Sequence, residues 1–244
     1  MSSTDPAGRV GPIDQAGRRP PSDDSSVVAG ASRVAGGLLE GVFASVARLR
    51  PAAKPLHPRG ETRAAIVTRS GLEPATGVPW IDEAGVDDAQ VRLSRAVGLP
   101  PSWPDIFGLA LRVPTSEGFG DVLFATTGRG TIGRFVLLPG RSTTSWTYTT
   151  LIPYRTASGP LLLAAHPDGE GTFTVACARP TGTWQPFGRI VLEPPPATGT
   201  DDLNDVGPAF DPVLNQLPGL AYYPWAARLR EGSYRAARRS RGSD

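Results

Sequence analysis

The sequence predicts a mainly β protein of the α+β class, an eight-stranded antiparallel barrel with a helix at each end. Eight short apolar segments, each bounded by turn residues, are typical of such a barrel, and closing it hides the strand edges. The 244 residues include 29 glycines and 26 prolines, which favours strands and turns over a helix bundle. Helical spacing of apolar residues near both termini predicts the two helices.

The chain ahead of the barrel divides into two segments. Residues 1–29 are rich in proline, glycine, serine and aspartate, and we expect them to be disordered. Within residues 30–50, apolar residues recur at helical spacing from Val34 to Leu49, and Pro51 follows. This pattern predicts an amphipathic helix that ends at the proline. We expect its apolar stripe to pack on the outside of the barrel or against a second copy of the chain, as a homodimer.

The barrel is predicted over residues 51–195, in two groups of four strands. The segments lie near 61–68, 106–113, 120–126 and 132–138, and then near 146–153, 160–166, 172–178 and 187–193. Between the first two segments, Val86 to Val97 has the pattern of a helix. Asp87 and Asp88 stand near its start and Gly98 follows its end, as capping residues do.

Composition excludes several classes of function. The net charge is only +2, so the chain has no global field that suits nucleic acid. Cys177 is the single cysteine, which excludes an intrachain disulfide and a cysteine-based zinc site. His166 precedes a Pro-Asp-Gly turn and is predicted to be exposed. The most apolar early stretch is interrupted by charges, and no secretory signal is apparent, so we expect a cytoplasmic protein without a membrane span.

Residues 196–244 are predicted to form a polar linker and a closing helix from about Trp225 to Arg239. Arg230, Tyr234, Arg238 and Arg241 follow one another at spacings of four, four and three residues, so they share a helical face. Positive charge beside a phenol favours the phenolate, which is the form that binds a metal ion. The six arginines of this region would equally suit a solvated basic tail or one that binds nucleic acid.

A second stretch lies far upstream, where Lys54 and His57 stand three residues apart ahead of a predicted strand. Together with the C-terminal motif it belongs to an ordered series of short motifs. Over roughly residues 52–242 the series resembles the haem catalase superfamily. Its members are Lys54-Pro-Leu-His57-Pro-Arg-Gly60, Val91-Arg-Leu-Ser94, Pro104-Asp-Ile-Phe-Gly108, Gly120-Asp-Val-Leu123, Phe210-Asp-Pro212, Pro218-Gly219-Leu220 and Arg230 to Tyr234.

The resemblance implies a catalase-like barrel that binds haem b. Tyr234 would be the proximal iron ligand, and His57 the distal group that moves the protons of a bound peroxide. Ser94 would hold the imidazole in its orientation. The resemblance also makes Val91 to Ser94 extended. This conflicts with the helical pattern at Val86–Val97, and the sequence leaves both alternatives open.

The resemblance further implies cations for the two haem propionates. Arg92 and Arg241 would supply two of them, because a guanidinium binds a carboxylate through two parallel hydrogen bonds. Lys54 stands where the family has an arginine, and lysine is a weaker substitute because it lacks that fork. Arg230 would neutralise the charge of the phenolate.

Two departures from the family pattern bear on the chemistry. The family has a distal asparagine after its third strand, whereas this chain offers only the hydroxyls of Thr126 or Thr127 there. The haem-stacking phenylalanine would be Phe135 or Phe124. The chain is also shorter than a full catalase, which implies a more open site. An open site favours peroxidase chemistry or hydroperoxide rearrangement over disproportionation of peroxide.

We therefore expect a haem protein that acts on hydrogen peroxide or organic hydroperoxides, as a peroxidase- or catalase-type oxidoreductase, with no nucleic-acid partner. Two alternatives come from other classes of protein. The barrel could lack haem and bind a small apolar or lipid-derived ligand without redox chemistry. The chain could also be a hydrolase or binding protein of unrelated fold.

Overall fold

The computed structural model describes residues 59–96, 100, 102–194, 208–224 and 226. These residues form nine strands and two single-turn helices. The strands are β1 Arg59–Ser70, β2 Ala84–Arg95, β3 Phe107–Thr115, β4 Gly118–Thr127, β5 Thr147–Thr149, β6 Tyr154–Thr156, β7 Gly159–Pro167, β8 Thr172–Ala178 and β9 Gln185–Leu192. The helices are α1 Pro79–Asp82 and α2 Gly130–Gly133. No helix in these ranges is long and apolar enough to cross a bilayer.

Eight of the strands close into an antiparallel barrel. The order is β5-β4-β3-β2-β1-β9-β8-β7, and β5 also pairs with β7, which closes the ring. The short strand β6 adds to β7 beside this ring. The predicted eight-stranded antiparallel barrel is therefore confirmed. The predicted segments 1–29 and 30–50 lie outside the described residues, as does the closing helix beyond Ala226.

The barrel interior is filled by side chains that alternate along the strands, as the two-residue period of a strand requires. Tyr148 packs edge-on against Phe173, with ring centroids 5.9 Å apart, and Trp80 does the same against Phe187 at 5.4 Å. Each such side chain contributes roughly 1.5–3 kcal/mol by leaving water. Other inward residues are Val67, Leu109, Leu111, Val122 and Ile190.

The predicted helix at Val86–Val97 is wrong, because most of this segment is the extended strand β2. Its burial alternates with the period of a strand: Val86, Asp88 and Gln90 are exposed, whereas Ala89 and Val91 are buried. The neighbouring strands β1 and β3 both pair with it through backbone hydrogen bonds. The extended conformation implied by the resemblance is the one found.

Two predicted strands also need correction. Residues 132–138 contain the end of α2 and a loop, with one isolated bridge from Leu137 to Thr127, because the edge of β4 pairs with β5 instead. The segment predicted at 146–153 is a strand only over Thr147–Thr149. The chain then turns at Leu151, whose φ of 60° lies in the left-handed region and cannot continue a strand.

Residues 208–224 and 226, which we call the C-terminal strap, run along the end of the barrel where β4 begins. Leu217, Leu220 and Tyr222 belong to the main hydrophobic core. Leu217 lies so close to β4 that a Cβ on Gly120 would come within 2.5 Å of its Cγ. The Tyr222 hydroxyl is 3.0 Å from the Tyr154 hydroxyl. The strap therefore completes the core although it contains almost no regular secondary structure.

Candidate functional site

The outward side of β2, β3 and β4 carries two rows of mostly small residues, and each row includes one polar residue of β2. Ser94, Gly108 and Ala125 are successive register partners across the three strands, and Arg92, Ala110 and Leu123 form the next row. Register partners share a face of the sheet. The residues between these rows, such as Val91, Leu109 and Phe124, point into the core. We call the two rows the outer face.

Arg92 and Ser94 are buried on this face, with 9% and 8% of their surface exposed. The Arg92 guanidinium lies against Gly60 of β1, where an added Cβ would be 2.6 Å from the Arg92 Cζ. Glycine at this position therefore lets the guanidinium lie close to the sheet. The result is a positive charge held at the edge of a surface whose other residues are glycine, alanine and one leucine, Leu123.

The third row of the same side is Gln90, Arg112 and Asp121, and it anchors the C-terminal strap. Arg112 donates two hydrogen bonds of 2.7 Å to the Asp121 carboxylate, whose side chain is fully buried. Asp121 Oδ2 also accepts from the Asp211 N–H and from Asn215 Nδ2, each at 2.8 Å. One strand, β4, thus carries both the outer face and the attachment of the strap.

This anchor matters because the strap leads directly into residues 227–244, which contain the Arg230–Tyr234 motif. Arg112 also donates to the Ala209 carbonyl at 2.8 Å, and its guanidinium lies 4.9 Å from the centre of the Phe210 ring. A charge-assisted, bidentate pair of this kind fixes geometry as well as adding energy. The barrel therefore fixes the beginning of the strap.

The structure brings together two of the predicted site residues, Arg92 and Ser94, which stand two residues apart on β2. Thr126 does not join them, because it points to the other side of β4. Its hydroxyl accepts a hydrogen bond from the Phe107 N–H at 3.1 Å and donates one to the Leu138 carbonyl at 2.8 Å. Thr127 has the same strand parity as Ala125, and its buried hydroxyl has no hydrogen-bond partner among the described residues.

The two candidate stacking residues occupy different environments. Phe124 points inward and belongs to the core, so it cannot stack on a ligand at the outer face. Phe135 is half-buried in the loop between α2 and β5. The remaining predicted site residues lie outside the described residues; they are Lys54, His57, Arg230, Tyr234 and Arg241. Within the described part of the chain, no group of three or more His, Cys, Asp or Glu side chains could hold a metal ion.

The outward side of β5 and β7 carries a second polar cluster that sequence reasoning missed. Arg134 is 3% exposed and donates to the carbonyls of Gly130 and Arg179, each at 3.1 Å. Its guanidinium lies 4.5 Å from the centre of the Trp184 ring. His166 packs edge-on against the same indole at 5.7 Å. We call this group the Arg134–Trp184 cluster.

His166 is half-buried in β7 and not in an exposed turn, which corrects its predicted environment. Its Nδ1 lies 3.1 Å from the Thr147 hydroxyl. Burial lowers the pKa of His166, and the positive charges of Arg129 and Arg134 lower it further. The imidazole is therefore held in its neutral form.

Comparison with known proteins supports the fold. No protein-family model matches the sequence, and no curated protein does. A bacterial catalase structure superposes with a TM-score of 0.55 at 12% identity, covering 96% of this chain and 64% of that one. A fungal catalase structure superposes with a TM-score of 0.59 at 13% identity, covering 100% of this chain and 66% of that one. The chain thus has a catalase-like fold and spans about two thirds of the length of these catalases.

Proposed function

We propose that the chain is a haem protein that reduces hydrogen peroxide or organic hydroperoxides. The observation that carries this proposal is the outer face, where Arg92 is buried at the edge of a surface formed by Gly108, Ala110, Leu123 and Ala125. Haem is a planar molecule with two carboxylates. A surface of mostly small side chains with one fixed guanidinium suits both properties.

The C-terminal segment would complete the site. Tyr234 is the proposed axial ligand, with Arg230 to favour its phenolate form and Arg241 and Lys54 as further propionate cations. The packing of the strap supports this arrangement, because Ala226, eight residues before Tyr234, is buried in the core. When bound, haem iron would supply the redox chemistry that cleaves the O–O bond.

The proposed proton chemistry belongs to His57 and Ser94. His57 would accept the proton of one peroxide oxygen and return it to the other, which is general acid–base catalysis. Ser94 would orient the imidazole from the outer face. Thr127 suits the role of a second polar contact better than Thr126 does, because the Thr126 hydroxyl is already bonded on the inner side.

The row that contains Ser94 ends in Ala125, which has no polar group to bind peroxide. This supports peroxidase chemistry over rapid disproportionation, since an alanine cannot polarise the substrate. Phe135, in the half-buried loop after α2, is the remaining candidate to stack on the ring. The alternative of a ligand inside the barrel gains no support, because large side chains such as Tyr148, Phe173 and Phe187 occupy the described interior.

The direct test is a haem titration of the purified protein, followed by its absorption spectrum. We expect one haem per chain and the charge-transfer bands of a tyrosinate ligand. Tyr234→Phe should lose haem or shift those bands, whereas the matched variant Tyr223→Phe, in the strap, should change neither. A wild-type chain that binds no haem, or a Tyr234→Phe chain with an unchanged spectrum, would overturn the proposal.

A further inference from the structure

An open groove adjoins the outer face and has no role in the function proposed above. Its volume is about 400 Å³, and it lies on the outward side of β2–β4 beyond the Arg92 row. Gln90, two residues from Arg92 on β2, lines it together with Asp88, Arg112, Pro114, Phe119 and Pro208. Because β2 carries both Arg92 and the groove, a molecule bound in the groove would be the immediate neighbour of a ligand on the outer face.

The apolar wall of the groove centres on Phe119. This side chain is 51% exposed, so about half of its surface is open to a ligand. The Arg112 guanidinium lies 4.5 Å from the centre of the Phe119 ring. Pro114 is the register partner of Phe119 across the hairpin. These residues offer a surface on which a second aromatic ring can stack.

The charge of the groove is set by Asp88. Arg112 does not contribute a net positive charge, because Asp121 neutralises it through two hydrogen bonds of 2.7 Å. Among the described residues, neither the Asp88 carboxylate nor the Gln90 amide has a hydrogen bond or an ion pair, so both are available to a ligand. The groove therefore combines an aromatic wall with one uncompensated negative charge.

We infer that this groove binds the reducing substrate, and that this substrate is a phenol that carries a positively charged group. The inference rests on the proposed peroxide-reducing function. The phenol ring packs against Phe119 and Pro114, and the cation lies beside Asp88. Each phenol gives up one electron and one proton. Two phenols thus convert one hydrogen peroxide into two waters, with cleavage of the O–O bond, and leave as two phenoxyl radicals.

The test compares three phenols with short para side groups of different charge: tyramine, which is cationic, 4-ethylphenol, which is neutral, and 4-hydroxyphenylacetate, which is anionic. KM and kcat for each are measured with the haem-loaded protein at saturating peroxide. We expect the KM of tyramine to be the lowest and that of 4-hydroxyphenylacetate the highest. The difference should be about three- to fivefold for each step in charge, the size of an exposed ion pair.

Variants of the groove separate the two contacts. Asp88→Asn should raise the KM of tyramine alone, and Asp88→Lys should reverse the order of the three phenols. Phe119→Ala should raise all three KM values by about two- to tenfold, the contribution of an aromatic pair. The KM for peroxide should not change in any of them. The matched control is Glu170→Gln, which removes an exposed negative charge in the turn after β7 and should alter nothing.

Equilibrium binding of tyramine, followed by ligand-observed NMR on the haem-free protein, distinguishes this inference from the proposed function. Binding that is lost in Asp88→Asn supports the groove even if the chain takes up no haem, in which case only the proposed function fails. Equal KM values for the three phenols, or tyramine kinetics unaffected by both Asp88→Asn and Phe119→Ala, overturn the groove as the site of the reducing substrate. Absence of tyramine binding to the wild-type protein does so as well.

Discussion

Among the described residues, two arginines are buried on the outer side of the barrel, and they are accommodated in opposite ways. Arg92, on β2, lies against Gly60, and its register partners in the sheet are Thr62 and Ala110. Arg134, above β5 and β7, lies near the Trp184 ring and bonds to two main-chain carbonyls. Burial itself disfavours the charged form and lowers the pKa of Arg134.

The difference separates a surface that can receive a ligand from one that the chain has already filled. Around Arg134, an indole and an imidazole occupy the space in which a ligand would lie. Around Arg92, Gly108, Ala110 and Ala125 carry only hydrogens or methyl groups, and Leu123 is the one large apolar side chain of the two rows. Two buried guanidiniums on one barrel are therefore not two equivalent sites.

The largest effect on stability is expected at Asp121, which joins β4 to the strap. Asp121→Asn should lower the free energy of unfolding by about 3–5 kcal/mol, because it leaves the Arg112 charge without its partner. Urea unfolding measures this. Asp168→Asn is the control, since its pair with Arg189 is 3.4 Å long and about half exposed on both sides, and should change the stability by less than about 1 kcal/mol. Equal effects would show that Asp121 is no anchor.

The same substitution at the two arginines should affect haem binding differently. Arg92→Met should weaken haem binding by about ten- to a hundredfold, the loss of hydrogen bonds to a charged group. Arg134→Met should leave haem binding unchanged and act on stability alone. Haem titration and urea unfolding of both variants give the four values needed. If Arg134→Met weakened haem binding as much as Arg92→Met, the distinction between the two arginines would fail.

The smallest expected effect is a pH dependence confined to the Arg134–Trp184 cluster. Folding lowers the pKa of His166 from its usual 6.5, through burial first and Arg129 and Arg134 second. The unfolded chain therefore binds a proton more readily than the folded one, so stability is present above about pH 6.5 and declines as the pH falls below it. His166→Gln should flatten this decline in urea midpoints measured between pH 7.5 and 5.5. An unchanged slope would mean that other groups cause it.

Several features could be predicted from local sequence patterns, and others could not. The barrel was predictable because seven of its eight strands have their own apolar segment bounded by turns. In β2 the polar residues Asp87 and Asp88 resemble a helix start, although the alternation of Ala89, Val91 and Leu93 is the pattern of a strand. The apolar run at 132–138 has the sequence pattern of a strand. It forms none because the edge of β4 that it would pair with is already paired with β5.

The candidate site shows the same limit. Thr126 and Thr127 differ by one residue, and a shift of one residue moves a side chain to the other face of a sheet. Only the pairing of this end of β4 with β5 decides which hydroxyl faces outward. The Asp121 anchor joins residues 90 positions apart, and no local pattern predicts such a contact. The groove beside Phe119 depends on the same long-range pairing.

The position of the strap in the chain has a consequence for biosynthesis. Leu217, Leu220 and Tyr222 are core residues, yet the ribosome makes them only after all nine strands. Strand β1 must also wait for β9, since Ala65 pairs with Leu192. During translation the emerging barrel thus exposes apolar surface around Val78 and Gly120 until its last segment arrives, and such surface is prone to aggregation. A chain that stops before residue 208 would retain every strand and still show this defect.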